Sequence, residues 1–435
     1  QTPRGKQNPL AGGAVNRRYA YDKAGNLIQS ADQRSGVLNY VYDKIGRIQE
    51  ARNSQTGRSE TFAFDPAHNI LSDKTAEGKG GNLVSGNRLK EYNGIEYTYD
   101  ALGNLIYRQL PDGENQYYQY DLENQLVRAE IKKPAGNTEI WTYAYDPFGR
   151  RLSKERQDKL AWTSTDPKRT HFVWDGSRLL QEYTYKGSYT YLYTDQDSYE
   201  PLAQVFHNNQ DEEQYLAYFH NDQIGIPKEM TDIHGNLLWY GEYTAWGRLK
   251  KDERVYKNAH QPFRLQNQYF DEETGLHYNL MRYYEPEAGR FVNQDPIGLL
   301  GGDNLYQFAP NIQNWVDFLG LRRSYAGKQE RIRALATDKS QPRFVRGWVQ
   351  NEIRRVEGLK AAGRSGRLRL PPGFDLAHWR GYESAKGFSY TFTSLLTRVL
   401  HRLQHKKDNG GRKQPRMGSK KCGGKTEQEI KDSRK

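Results

Sequence analysis

A single cysteine, Cys422, stands among 435 residues. That excludes an intramolecular disulfide framework and any zinc site built from several cysteines. No apolar run reaches the roughly 18 residues of a membrane-spanning helix. The opening Gln1-Thr-Pro-Arg-Gly-Lys lacks the basic-then-apolar pattern of a secretory leader. Aromatic residues are plentiful, with 32 Tyr, 15 Phe and 8 Trp, which argues against a disordered chain. The length exceeds one ordinary core of roughly 100–200 residues, so two or more structural units are expected.

Charge and tyrosine divide the chain at one place. Residues 322–435 hold 29 Lys and Arg against 10 Asp and Glu, a net of +19, whereas residues 1–321 hold 36 against 43, a net of −7. Of the tyrosines, 29 precede residue 322 and 3 follow it, so two bodies of opposite charge are joined. A body this basic points to a polyanionic partner, nucleic acid above all. A merely solvated basic surface is the alternative.

Self-similarity dominates the first half. Tyr21-Asp-Lys-Ala-Gly-Asn-Leu returns as Tyr42-Asp-Lys-Ile-Gly-Arg-Ile, Tyr99-Asp-Ala-Leu-Gly-Asn-Leu and Tyr145-Asp-Pro-Phe-Gly-Arg-Arg-Leu. Weaker copies begin at Phe64-Asp65, Tyr120-Asp121 and Trp174-Asp175, with aspartate spacings of 21, 22, 35, 21, 25 and 29 residues. Alternating aromatics before each Asp predict a strand with one buried face. Asp-x-x-Gly is turn chemistry: the carboxylate bonds back to the backbone and Gly supplies positive φ. Each unit therefore reads as a hairpin that buries its aromatic face only by stacking on its neighbours.

On these motifs residues 1–214 resemble the YD-repeat, or Rhs, family, in which such hairpins spiral into a hollow β-shell. The fold class expected is a mainly β shell of stacked hairpins with a small, basic, mainly α C-terminal domain. The first copy begins almost at Gln1, so the resemblance implies a piece of a longer protein whose targeting module lies upstream.

Residues 215–321 carry a second signature: Tyr269-Phe-Asp-Glu-Glu-Thr-Gly-Leu-His-Tyr-Asn-Leu-Met-Arg-Tyr-Tyr-Glu-Pro-Glu-Ala-Gly-Arg-Phe-Val-Asn-Gln-Asp-Pro-Ile-Gly-Leu, then Asn304-Leu-Tyr-Gln-Phe-Ala-Pro-Asn and Trp315-Val-Asp-Phe-Leu-Gly-Leu. This segment resembles the Rhs-associated core. The resemblance implies an end plug that acts as an intramolecular aspartyl protease, without a cofactor, and cuts after Leu321. Asp295 and Asp317 lie 22 residues apart in turn-like settings. Two acids that share a site do not both ionise cheaply, so one keeps a proton. The other then activates water while its protonated partner polarises the scissile carbonyl. By family position Arg282 holds one acid ionised. Read without the family, both aspartates are turn caps. Phe318 stands where the family's second motif has proline, which is expected to loosen that turn.

Beyond Leu321, Pro342 opens a helical pattern with Phe344, Val345, Trp348, Val349, Ile353 and Val356 on one stripe. Glu352 falls inside that stripe and needs either a cationic partner or a functional role. A second helix is predicted from about Ser394 to Lys407, with Leu395, Leu396, Val399, Leu400 and Leu403 on its apolar side. His401 and His405 project opposite, where an i,i+4 pair chelates a metal or lies along a phosphate backbone; two solvated histidines are the alternative. Residues 340–413 resemble the polymorphic toxin type 8 domains. His378, His401 and His405 are the candidate catalytic groups of the toxin. Lys386, Arg402 and Arg412 are the candidate phosphate contacts. His401, His405 and Asp408 are candidate ligands for a divalent metal. The toxin domain is placed at 322–413, and the Gly- and Lys-rich residues 414–435 read as a disordered basic tail.

The favoured function is a toxin, secreted or delivered into a neighbouring cell, whose core releases a nuclease that acts in the target cytoplasm. Its expected partners are a nucleic acid substrate, a cognate immunity protein and a secretion apparatus engaged through a region outside this chain. Two alternatives stand beside it: a surface adhesion protein whose repeats bind carbohydrate and whose basic tail is passive, and a toxin that is not a nuclease.

Overall fold

The computed structural model describes residues 15–72, 84–157, 168–195, 198–321, 331–338, 341–361, 368–372, 374–378 and 393–397. Contacts divide the chain into two units, one of residues 1–299 with 303–322 and one of residues 300–302 with 323–435.

The first unit is a succession of antiparallel strands in chain order. A five-stranded sheet runs from Arg17–Tyr21 to Ser59–Thr61, and a fifteen-stranded sheet from Glu91–Tyr92 to Leu249–Arg254. The turns follow the repeat. The Asp22 Oδ1 accepts the amides of Ala24 and Asn26 at 2.8 and 2.9 Å. Asp43, Asp121 and Asp146 take the amides two and four residues on in the same way. Gly25, Gly46 and Gly149 close three of these turns at φ between +77° and +87°, a region that most other residues enter only with strain, and Asn124 closes that of Asp121 at φ +59°. The repeat tyrosine has its own task. The hydroxyls of Tyr42, Tyr145, Tyr193 and Tyr243 donate to the carbonyls of Leu27, Leu126, Leu179 and Pro227 at 2.7–2.9 Å, stitching each hairpin to an earlier one.

The residue that opens each returning strand enters the core. Leu27, Ile48, Leu105 and Leu126 are buried there, each worth roughly 1.5–3 kcal/mol of transfer free energy. In the fourth clear copy this slot belongs to Arg151, which is fully buried, while Leu152 faces solvent. The weak copy at Asp175 departs further: its carboxylate pairs with Arg178 across a two-residue turn. Asp222 and Asp232 build turns of the repeat type with their own downstream amides, so the hairpin ladder continues past residue 214 to Arg254.

Residues 260–321 then reach the same row of turns from within. They form a four-stranded sheet of Tyr269–Phe270, His277–Asn279, Arg282–Glu285 and Arg290–Phe291. Side chains of this segment donate to one turn carbonyl after another: Asn311 to Gly46, Asn304 to Ala67, Tyr306 to Gly103, Tyr278 to Gly149 and Tyr284 to Trp246, at 2.7–3.1 Å. The first hairpins also meet the last, with Arg17 Nη1 donating to Asn221 O at 2.9 Å and the Ala245 amide to Glu60 Oε2 at 2.8 Å.

The second unit has a small core of its own, made by Ile332, Leu335, Val349, Val356, Leu368 and Leu376. Helix α1, Arg343–Ala361, carries the predicted stripe with one exception: Phe344 is exposed. Glu352 is buried on that stripe and held by two arginines, Arg355 Nη2 at 2.9 Å and Arg369 Nη2 at 2.7 Å. The helix predicted from Ser394 is not formed at its start. Thr393–Thr397 is a strand, antiparallel to Phe374–His378, with Leu395 opposite Leu376 and Leu396 opposite Asp375. Threonines at both ends favour extended backbone, and pairing lets Leu395 pack on the core. The described part of this unit thus adds a two-stranded antiparallel pair to its helices. Residues 398–407 of the predicted helix and the tail 414–435 lie outside the described residues. Among the described residues no helix is long and apolar enough to cross a membrane.

Candidate functional site

Arg282 lies in the strand Arg282–Glu285, Asp295 in the turn that follows Arg290–Phe291, and Asp317 near the end of the core segment. The fold brings these three together. Arg282 Nη2 is 3.1 Å from Asp295 Oδ2 and 3.5 Å from Asp317 Oδ2, and all three side chains are almost wholly buried. The guanidinium also lies over the Phe291 ring, 3.5 Å from its centroid. Burial pushes the Asp317 carboxyl above the usual carboxylate range. The negative charge of Asp295 adds to the rise, while Arg282 and the amides of Leu321 and Leu319 oppose it. One cation between two buried carboxylates is an arrangement in which a proton is retained on the pair.

The same groups grip the chain that leads to Leu321. Asp317 Oδ1 accepts the amides of Leu319 at 3.3 Å and Leu321 at 3.0 Å. Four consecutive carbonyls are each held by a different donor. Asn279 Nδ2 binds Asp317 O at 2.9 Å, Asn267 Nδ2 binds Phe318 O at 2.5 Å, the Met281 amide binds Leu319 O at 3.3 Å, and Arg282 Nε binds Gly320 O. Gly320 is in the left-handed region at φ +63°, and a Cβ there would meet Asn279 O at 2.3 Å. Asn267 and Asn279 have no signal in the sequence, because an asparagine that binds a distant carbonyl looks like any other. Gly320 had one, as the glycine of the closing Gly-Leu.

In the second unit, His378 closes the strand Phe374–His378 opposite Thr393. Its side chain, and Lys386, His401, Arg402, His405, Asp408 and Arg412, lie outside the described residues. Among the described residues no group of three or more His, Cys, Asp or Glu is placed to hold a metal. Glu352 is accounted for as a structural ion pair: hydrogen bonds from Arg369 and Arg355 hold its carboxyl down at about 2.

Comparison with known proteins gives two family matches, RHS protein over residues 216–253 and Bacterial toxin 8 over residues 335–408. The chain is 38% identical over 328 residues to Double-stranded DNA deaminase toxin A of Burkholderia cenocepacia (strain H111), covering 72% of this chain and 23% of that protein. It is 32% identical over 358 residues to Toxin protein Tse5 of Pseudomonas aeruginosa, covering 69% of this chain and 26% of that protein. It is 30% identical over 316 residues to Probable deoxyribonuclease RhsA of Dickeya dadantii (strain 3937), covering 71% and 21%. The chain thus spans about a quarter of the length of these relatives. Among solved structures, that of TcdB2-TccC3-Cdc42 matches 71% of this chain and 17% of its own at 17% identity and a TM-score of 0.47.

Proposed function

The chain belongs to the Rhs repeat proteins and carries a bacterial toxin 8 domain, and from that premise we propose that it is the carrier and cargo of a delivered antibacterial toxin that cuts itself after Leu321. The observation that carries this reading is Arg282 between Asp295 and Asp317, with Arg282 and Asp317 also bound to the last residues before the cut. Asp295, the closer to Arg282, stays charged and takes a proton from water. The hydroxide adds to the Leu321 carbonyl carbon, which the protonated Asp317 polarises. Asp295 then passes that proton to the Arg322 nitrogen, the bond from the Leu321 carbon to this nitrogen breaks, and the chain beyond leaves as an amine while Asp317 recovers its proton as the carbonyl re-forms. The backbone clamps hold the reacting peptide in place through this sequence. No cofactor enters.

The released domain, residues 322–413, acts on nucleic acid in the recipient cell, with His378 as general base and His401 and His405 as acid/base partners or, with Asp408, as ligands of a divalent metal. Lys386, Arg402 and Arg412 bind phosphates. A cognate immunity protein protects the producer, and a secretion apparatus delivers the whole protein. The nuclease reading is supported by the net charge of +19 after residue 321 and by the toxin 8 match.

The test is made on the full chain. Purified protein yields a fragment of about 114 residues, and Asp295→Asn leaves it whole. Expression without an immunity protein degrades cellular DNA or RNA, and His378→Ala and His401→Ala are tolerated. An intact wild-type chain after long incubation overturns the self-cleavage. Cell death with both nucleic acids intact overturns the nuclease. Loss of nucleic acid degradation in EDTA identifies the metal-dependent form.

A further inference from the structure

The Phe318 ring stacks on the Tyr199 ring, 4.4 Å between centroids and 12° between planes. The contact is one side of a closed circuit. The Tyr199 and Ser177 hydroxyls are hydrogen-bonded to each other. Asn267 Nδ2 donates to Ser177 O at 3.0 Å and to Phe318 O at 2.5 Å. Arg178 Nη1 fixes the segment before Tyr199 through the carbonyls of Asp195 and Ser198, at 3.1 and 3.2 Å. Two of the four members, Ser177 and Tyr199, belong to the hairpin wall rather than to the core segment that carries Arg282, Asp295 and Asp317.

We propose that Tyr199 is a positioning residue for the self-cleavage: by stacking on Phe318 it registers the loop that follows Asp317 against the assembled hairpin wall. The proposal rests on the self-cleavage reading given above. A proline at 318 would restrain this loop through its own ring. Phenylalanine has no such internal restraint, and the stack supplies one from outside. Phe318 is therefore the anchor of the loop and not a defect in it. The consequence is a coupling. The core segment brings the two carboxylates together and clamps the backbone beyond Asp317 by itself, and Tyr199 and Ser177 tie the Phe318 side chain and Asn267 of that loop to the wall. A loop displaced by about 1 Å loses on the order of 10²-fold in rate.

The experiment times the release of the C-terminal fragment from full chain made by pulse-labelled cell-free synthesis. Tyr199→Phe, which keeps the ring, cleaves within about threefold of wild type, while Tyr199→Ala and Phe318→Leu slow the first-order rate roughly 10- to 100-fold. The pH profile of the remaining activity is unchanged, because the carboxylates and Arg282 are untouched. Asp295→Asn does not cleave in any background. Limited proteolysis of Tyr199→Ala in the Asp295→Asn chain checks that the wall is intact. If wild type cleaves and both Tyr199→Ala and Phe318→Leu match its rate, the positioning role is overturned and the self-cleavage stands. If wild type never cleaves, the self-cleavage reading fails and takes this one with it. If Tyr199→Phe is as slow as Tyr199→Ala, the ring is not what positions the loop and the proposal is overturned.

Discussion

Arg151 and Asp271 face each other through two hydrogen bonds, Nη1 to Oδ2 at 2.6 Å and Nη2 to Oδ1 at 2.9 Å, and neither side chain reaches solvent. Arg151 sits in the slot that most other repeats fill with Leu or Ile, so the wall presents a buried cation where the core segment presents a buried acid. Tyr278, Phe172, Tyr269 and Tyr143 surround the guanidinium at 4.4–5.6 Å. Removing Asp271 strands Arg151, whereas Asp271 has a second cation in Lys154, with Nζ at 3.2 Å. Asp271→Asn is expected to cost about 3–5 kcal/mol, read as a lower urea midpoint by tryptophan fluorescence. The double change Arg151→Leu with Asp271→Leu costs less than Asp271→Asn alone, since it restores the slot's usual chemistry. A double variant weaker than the single would show that the pair itself is what holds wall and core together.

The state of Asp317 fixes the direction of a pH effect. Its carboxyl is raised by burial, so the folded protein keeps this proton above the pH at which a free carboxyl loses it. Cleavage that needs the proton falls as pH rises through that raised value, because two negative carboxylates then share the single Arg282. The rate of fragment release, measured from pH 4 to 8, is expected to decline on the alkaline side. A rate that climbs steadily with pH removes Asp317 from the acid role.

Gly320→Ala separates loop geometry from chemistry. The added Cβ meets Asn279 O at 2.3 Å on a residue already at φ +63°, so the backbone has to move, and the Arg282 contact to Gly320 O moves with it. Fragment release is expected to fall by an order of magnitude or more, while the hairpin wall, which does not touch this Cβ, keeps its resistance to protease. Undiminished release would place the scissile peptide elsewhere.

Glu352 gives the second unit an acid limit. Its carboxyl is held at about 2 by Arg369 and Arg355, against roughly 4.3 when unfolded. A depressed carboxyl contributes stability that is present above the unfolded value and lost as pH falls toward 2. Amide exchange of α1 in the full chain, taken relative to the free-peptide rate at each pH, is expected to stay slow at pH 7 and to quicken between about pH 4 and 2. Glu352→Gln quickens it already at pH 7, and the gap between variant and wild type closes in acid. Equal exchange at both pH values would mean that the two arginines contribute nothing to the helix.

The hairpins were legible because the clear copies carry a strand-ending tyrosine, an Asp-x-x-Gly turn and the start of the returning strand within one short motif. Asp222 and Asp232 were missed as turns because their flanks have lost the repeat's Tyr-Asp pairing. Arg151 carries no such signal: Leu152 beside it is the apolar residue, and only the position of Asp271 explains why the arginine is the buried one. The pairing of Asp295 with Asp317 followed from a family signature that spans them. Asn267, Asn279 and Tyr199 act across chain distances on which periodicity is silent. The segment from Ser394 reads as a helix through its leucine spacing, and its threonines and the strand Phe374–His378 decide against it.

Besides its side-chain pairs, the core segment touches the wall at carbonyl oxygens of turns, those of Gly46, Ala67, Gly103, Gly149 and Trp246 among them. A carbonyl is the same atom whatever side chain its residue bears. Recognition of this kind is indifferent to the letters of the turn as long as its shape is kept, so Leu102 and Phe148, exposed at the turn tips, are free to drift while Gly103 and Gly149 are not. A core segment of one sequence can therefore dock on hairpins of many sequences, provided each turn keeps its shape.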